Sequence, residues 1–340
     1  MTSHHVHERS RHAAADTGNV RGAGRAHGKA ILVGEHTVVH GTPAIAFPLP
    51  ALSVSAVAAP GGSLTADSPA GQQFRFTAGH TLTPADALSG PQVAVEEALR
   101  RWGLAGAIVD VVVDCAIPPA RGLGSSAACA GAAVRAVADL YGRSIDAETV
   151  YELVQCGEQV AHGRASGVDA SAVSAAGPIW FHAGVARPMT IGLDAALVLA
   201  DSGTFGATQH AVAAVRRKLE RDPLGANRLL GRAGELIGSA AAELAAGQAE
   251  PLGKTLLAFQ DLLAELGVST PQIDALVAAA MDAGSLGAKL TGGGLGGCVL
   301  ALTETGSAAA QVSAALRKAG AVQTWIIPIS PSIPELDTRQ

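Results

Sequence analysis

The sequence predicts an α+β chain of two domains that meet near residue 187. Three observations carry this. In the first half, strand-like apolar runs are interleaved with helical stretches. From about residue 190, long Ala/Leu-rich helices lie between strand-like runs. Hydrophobic residues make up 48% of the 340 residues against 16% charged, which suits a folded chain with a sizeable core.

The elements follow in order. Residues 1–24 are polar, His-rich and without period, and read as a disordered tail. His4, His5 and His7 belong to that tail rather than to a metal site. An apolar run from Ala30 to Val33, a Gly-Glu-His turn and a second apolar run read as strand, turn, strand. "LSVSAVAA" alternates as a half-buried strand, and "GGSLTADSPAGQQ" reads as a surface turn. "PQVAVEEALRRWG" is helical and ends at Gly103. "AIVDVVVDCAI" alternates again and stops at Pro118-Pro119. A glycine- and serine-rich loop then feeds a helix that runs to about Tyr141. A second helix follows, with Asp146 as its cap.

In the second half "LDAALVLADSG" is a strand. Helices are expected over about 207–221, 224–247, 251–266 and 271–283. A glycine loop leads into the strand "CVLAL", then come a helix and a last strand, "VQTWIIPI". No internal repeat is present. The segments 25–187 and 188–330 are the two expected domains, with 331–340 as a C-terminal tail.

The totals exclude several classes. The net charge is −5 and the pI near 6.1, so no polyanion partner such as nucleic acid is indicated. Aromatics are 3%, too few for base-stacking platforms. The four cysteines, Cys115, Cys129, Cys156 and Cys298, form no C-x-x-C pair and read as free thiols of a cytoplasmic protein. No apolar run reaches the roughly 18 residues of a membrane span, and the N-terminus lacks a signal-peptide core.

Three turns carry more chemistry than a core requires. In "GKAILVGEH", Lys29 precedes the strand while Glu35 and His36 follow it. A solvated lysine and plain turn residues would also fit, but a kink could bring both ends to one cleft. In "PPARGLGSSAA", residues 118–128, the glycines permit a tight turn. The helix that follows offers free N–H groups and a positive dipole end to an anion. Two consecutive serines exceed what a cap needs, and the spare hydroxyl suits a magnesium ion beside a phosphate.

In "KLTGGGLGGC", residues 289–298, Gly292, Gly294 and Gly297 match G-x-G-x-x-G. A β-like run follows instead of a helix, which argues against a dinucleotide fingerprint. The loop either closes over phosphates or is a tight crossing of backbones. No Walker A string is present. Glu158, on a helix, and Asp169, in a turn after it, supply carboxylates. With Lys29 and the serines they are the parts of phosphoryl transfer: a metal ligand, a base and a cation.

The three loops, in this order, resemble the GHMP kinase superfamily, and within it the mevalonate kinase family. "GKAILVGEHTVVHGTPAIA" is similar to that family's N-terminal signature, "PPARGLGSSAA" to its phosphate loop, "HGRASGVDASAVSAAG" to its aspartate motif and "AKLTGGGLGGC" to its third glycine motif. The resemblance covers about residues 25–328. It implies an N-terminal domain like domain 2 of ribosomal protein S5, carrying the phosphate loop and catalytic residues, and a C-terminal ferredoxin-like α+β domain. It implies transfer of the ATP γ-phosphoryl to mevalonate, with Mg2+. Asp169 matches the catalytic base and Lys29 the lysine that steadies the phosphoryl group.

By the same resemblance Gly122, Leu123, Gly124, Ser125 and Ser126 match the nucleotide phosphate loop, joined by Gly292, Gly293 and Gly294 of the third motif. Ser126 and Glu158 match the magnesium ligands, and Glu35 and His36 the substrate side. His36 separates the chain from phosphomevalonate kinases, whose signature more often reads Gly-Glu-Tyr. Many members are homodimers. Four positions depart from the pattern: His27 replaces the usual proline, Cys129 stands where animal members carry tyrosine, and Gly293 and Leu295 alter the third motif. Leu295 is expected to add bulk to a phosphate-facing loop.

Overall fold

The computed structural model describes residues 20–63, 73–78, 89–162 and 165–332. The His-rich stretch with His4, His5 and His7 lies outside them, as do residues 64–72 of the expected surface turn and 333–340 of the C-terminal tail. The first sheet is built on a long antiparallel hairpin of β1 (Gly22–Val33) and β2 (Ala44–Pro60). β1 runs along one side of β2. β4 (Val109–Cys115) and β5 (Ile179–His182) share its other side at opposite ends. β3 (Gln73–Ala78) and β6 (Val185–Pro188) complete the edges. The short strands β3, β5 and β6 were not expected from the sequence.

Two expectations are corrected here. The tail does not extend to residue 24, because Gly22–Gly24 already pair with Ala58–Ala56. The reason is helix α2 (Ser125–Leu140), which lies directly on this end of β1. A Cβ at Gly22 would sit 2.1 Å from the Ala136 carbonyl oxygen, and one at Gly24 2.0 Å from that of Ala132. Only glycine opposite alanine allows so close an approach, and the Ala-rich face of α2 is buried throughout. Second, the two apolar runs before residue 60 are one strand. Pro50 does not end it, because the register jumps there from His27↔Ser53 to Gly28↔Leu49, and a bulge tolerates a missing N–H; Pro48 stays in register opposite Lys29.

α1 (Gly90–Arg101) and α3 (Ala147–His162) pack beside α2. Asp146 caps α3, its Oδ1 accepting from the Thr149 N–H at 2.8 Å. A five-residue helix, α4 (Val168–Ala172), follows.

The second sheet has the order β10-β7-β9-β8 and is antiparallel between neighbours. Its strands are β7 (Ala195–Asp201), β8 (Gly287–Thr291), β9 (Cys298–Thr303) and β10 (Gln323–Ile329). Four helices connect β7 to β8: α5 (Thr208–Arg221), α6 (Pro223–Ala246), α7 (Ala249–Leu266) and α8 (Pro271–Asp282). α9 (Ser307–Lys318) connects β9 to β10. This is the split βαβ order of a ferredoxin-like unit, enlarged by helices. The helix starts are set by side chains and proline, since Asp222 and Thr270 accept the first free N–H groups and proline follows each. β8 was not expected; its five residues read as the lead-in to a glycine loop.

Candidate active site

The two sheets meet at a cavity of about 130 Å³ lined by Lys29, Glu35, His36, Gly122, Gln155, Glu158, Asp169, Gly292 and Gly293. Lys29 lies inside β1 rather than before a strand, because the strand starts upstream. Register shifts flank it, between His27 and Gly28 and between Ile31 and Val33. They bend β1 so that Lys29 and the Glu35–His36 turn reach the same cavity.

Lys29 is 2% exposed, and its Nζ lies 2.9 Å from Asp169 Oδ1. It also donates to the Gly122 carbonyl at 3.0 Å. One buried ammonium thus joins the carboxylate to the glycine loop. Gly124 makes room for it: a Cβ there would stand 3.0 Å from Lys29 Cγ. Asp169 is 36% exposed and sits in the first turn of α4, not in an irregular turn.

The serine loop differs in detail from expectation. Neither serine caps α2; the cap position is Gly124 at φ 75°, and Ser125 is the first helical residue. Leu123 is buried, and its carbonyl accepts the Lys29 N–H at 3.0 Å, so it anchors the loop to β1. Gly122 meets the third glycine loop. A Cβ on Gly122 would lie 2.9 Å from Gly292 Cα, and one on Gly292 would lie 2.5 Å from Gly122 Cα. The tight crossing of backbones is therefore present, and Gly292 and Gly293 also line the cavity. Gly292→Ala, at φ 85° with backbone on the other side, should destabilise the fold by on the order of 1–3 kcal/mol. Thermal unfolding checks it.

Gly294 does not line the cavity; it packs on Val268, whose carbonyl oxygen would be 2.4 Å from a Cβ. Leu295 has φ 54° and donates its N–H to the same carbonyl at 2.8 Å. Its side chain packs on the hydrophobic core, so the bulk expected in the phosphate path is directed elsewhere. Cys129 is buried beside Cys115, thiol to thiol.

Glu158 is 4% exposed and lines the cavity. Ser126, like Leu123, Gly124 and Ser125, is not among the residues that line the cavity; its Oγ lies on the side of α1 and α3. A Cβ on Gly90 would lie 3.3 Å from Ser126 Oγ and 3.2 Å from the carbonyl of Gly157, next to Glu158. A carboxylate and a hydroxyl are hard oxygen donors of the type magnesium takes alongside phosphates and water. Among the described residues, no group of three or more His, Cys, Asp or Glu converges as a cation site.

Several functional candidates escaped the sequence reading. Lys289 is completely buried and pairs with Glu35 Oε1. Thr291 takes the Ile31 N–H at 3.0 Å and donates to the Ile31 carbonyl at 2.9 Å, closing β8 onto β1. Arg121 bridges to Asp201 at 2.9 Å and lies over the Phe205 ring, tying the loop before α2 to the end of β7. His36, at φ 63°, bonds through Nε2 to the Gly293 carbonyl at 3.0 Å.

Burial lowers the His36 pKa to about 4, against a partial offset from that carbonyl. The folded protein therefore keeps His36 neutral where the unfolded chain protonates it. Stability should fall as pH drops from about 6.5 to about 4, by on the order of 3 kcal/mol from this group. Denaturant unfolding across that range checks it: His36→Asn should show the shallower slope.

A larger groove of about 800 Å³ runs along α3, the far side of α4 and the β5–β6 hairpin. Its described lining includes Glu148 and Glu152 but no Lys, Arg or His. It has no cation for a transferring phosphoryl group, whereas the smaller cavity has Lys29.

Residues 91–177 match the family model described as "GHMP kinases N terminal domain", and residues 240–322 match "GHMP kinases C terminal". A mevalonate kinase of Aeropyrum pernix is 35% identical over 287 residues, covering 82% of this chain and 87% of its own. One from Pyrococcus horikoshii is 31% identical over 314 residues, covering 86% and 91%. The crystal structure of L. major mevalonate kinase in complex with R-mevalonate superimposes with a TM-score of 0.76 at 25% identity. It covers 92% of this chain and 97% of that one.

Proposed function

The chain belongs to the mevalonate kinase family of the GHMP kinases, and on that premise we propose that it transfers the γ-phosphoryl group of ATP to the C5 hydroxyl of mevalonate. The product is 5-phosphomevalonate, an intermediate of isoprenoid biosynthesis. The observation that carries the reading is the Lys29 ammonium held between Asp169 Oδ1 and the Gly122 carbonyl.

In this reading Asp169 is the base. It engages Lys29 through one oxygen, which leaves the other to take the hydroxyl proton. The C5 oxygen attacks the γ-phosphorus, and the bond to the oxygen retained by ADP breaks in line. Lys29 lies beside both the attacking oxygen and the phosphate loop, and balances the charge that develops on the phosphoryl oxygens. Gly122, Leu123, Gly124, Ser125 and Ser126 cradle the triphosphate at the start of α2, where backbone N–H groups and the helix dipole favour an anion. Gly292 and Gly293 close the opposite side. Glu35 and His36 form the substrate wall.

Ser126 and Glu158 are the residues that would hold Mg2+. The ion, when bound, neutralises phosphate charge. Catalysis is then positioning and charge stabilisation. The four free thiols support a reducing, cytoplasmic setting.

The test is ADP release by the purified chain with Mg-ATP and, separately, mevalonate, phosphomevalonate, homoserine and galactose. Release with mevalonate alone is expected. Release with another alcohol would keep the phosphate site and overturn the substrate. ATP binding without release would make the chain a silent binder.

A further inference from the structure

Cys115, at the end of β4, and Cys129, in α2, are free thiols, 8% and 4% exposed. They meet sulfur to sulfur where α2 packs on β4. Packing does not require two sulfurs there. The rest of the buried face of α2 is mostly alanine, and the inward positions of β4 are valines. Cys298, by contrast, is buried beside Asp201 and Arg121.

The chain between the two thiols, residues 116–128, contains the whole glycine–serine loop of residues 122–126. That loop holds Lys29 twice. The Leu123 carbonyl accepts the Lys29 backbone N–H at 3.0 Å, and the Gly122 carbonyl accepts from Lys29 Nζ at 3.0 Å. A bond between the sulfurs would therefore close a ring around the loop that positions Lys29.

We propose that Cys115 and Cys129 are a reversible oxidation site, and that their disulfide displaces the loop of residues 122–126 and slows phosphoryl transfer. The second half rests on the reading of that loop as the ATP site. The Cys129 S–H donates to Cys115 and holds the Cys115 thiol below its ordinary pKa, while the same contact and burial push the Cys129 thiol up. Cys115, also the more exposed of the two, is then the nucleophile, and Cys129 is the resolving thiol.

The oxidant is hydrogen peroxide, close to water in size. Cys115 loses its proton, and its sulfur attacks one peroxide oxygen. The O–O bond breaks, and the leaving hydroxide takes up that proton as water. Cys115 now carries a sulfenic acid. The Cys129 sulfur attacks the Cys115 sulfur, the S–O bond breaks, and the hydroxide leaves as water with the Cys129 proton. Two thiols lose two electrons, and one peroxide becomes two waters. A disulfide bond is only about 2 Å long, so the end of β4 and the first turns of α2 are drawn together and the loop between them must follow.

The test treats the full chain with hydrogen peroxide and maps its disulfides by peptide mass spectrometry. Calorimetric titration with Mg-ATP and turnover with mevalonate follow. A Cys115–Cys129 cross-linked peptide is expected, with a loss of at least about tenfold in kcat/KM for ATP, both reversed by dithiothreitol. Cys129→Ala continues the alanine face of α2, and Cys115→Val suits β4. Each should match the reduced wild type before peroxide and keep its activity afterwards.

Absence of the cross-linked peptide overturns the site. A cross-linked chain that binds and uses Mg-ATP like the reduced one overturns the switch. Loss of activity in both variants places the sensitivity in Cys156 or Cys298 and overturns the switch as well. No turnover by the reduced chain overturns the kinase reading instead, because the peptide map and the calorimetry read the disulfide without it.

Discussion

Asp169→Asn lowers turnover of mevalonate by about 10²–10⁴-fold, the range for losing a positioned general base. The substitution keeps the shape of the side chain and its contact with Lys29, but the amide cannot accept the hydroxyl proton. The change leaves the Lys29 ammonium, 2% exposed, without its counter-charge, so thermal unfolding should fall below wild type, and the chemical step is measured at a temperature where the variant is folded. Substrate affinity should change little, because the wall that orients the substrate lies on β1 and its turn. Quenched-flow measurement of the chemical step checks this. Near-normal turnover in the variant would remove Asp169 from the role of base.

Lys29→Met lowers kcat by about 10²–10³-fold, the usual loss for one electrostatic donor aimed at developing charge. Methionine fills the same slot against Gly124, where the lysine stem packs, so packing survives while the ammonium is lost. The effect belongs to the chemical step because Lys29 contacts the carboxylate and the Gly122 carbonyl together. A variant that weakened ATP binding and left single-turnover chemistry intact would contradict this role. The two substitutions act on one pair, so the double variant should cost far less than the product of the single effects.

Most of this site was legible in the sequence because its parts sit in turns that local structure does not need. Two serines after Gly-Leu-Gly, and charged residues around a short apolar run, stand out against ordinary turn chemistry. Lys289 did not stand out. Within "AKLT" it looks like the lead-in to a glycine loop, and only the partner Glu35, far away in sequence, makes a buried lysine intelligible. Thr291 and Arg121 were hidden for the same reason, since each acts by reaching the other half of the chain. Leu295 was misjudged because a loop's backbone conformation decides where its side chain goes. At φ 54° it turns onto the core.

The fold followed the same division. Long amphipathic helices and alternating strands were readable from period alone, while the caps Asp222 and Thr270 came from the structure. The continuity of β2 through Pro50 was not readable, because it depends on a bulge set by pairing with β1. The early start of β1 at Gly22 depends on a helix that packs against it, a tertiary cause that no local pattern carries.

The central claim is that this chain phosphorylates mevalonate on its C5 oxygen. Phosphorus NMR of the reaction with Mg-ATP and mevalonate tests it most directly. The account predicts a new phosphomonoester resonance coupled to the C5 methylene protons, growing as ATP converts to ADP. ATP hydrolysed to free phosphate, or left intact beside unchanged mevalonate, would contradict it.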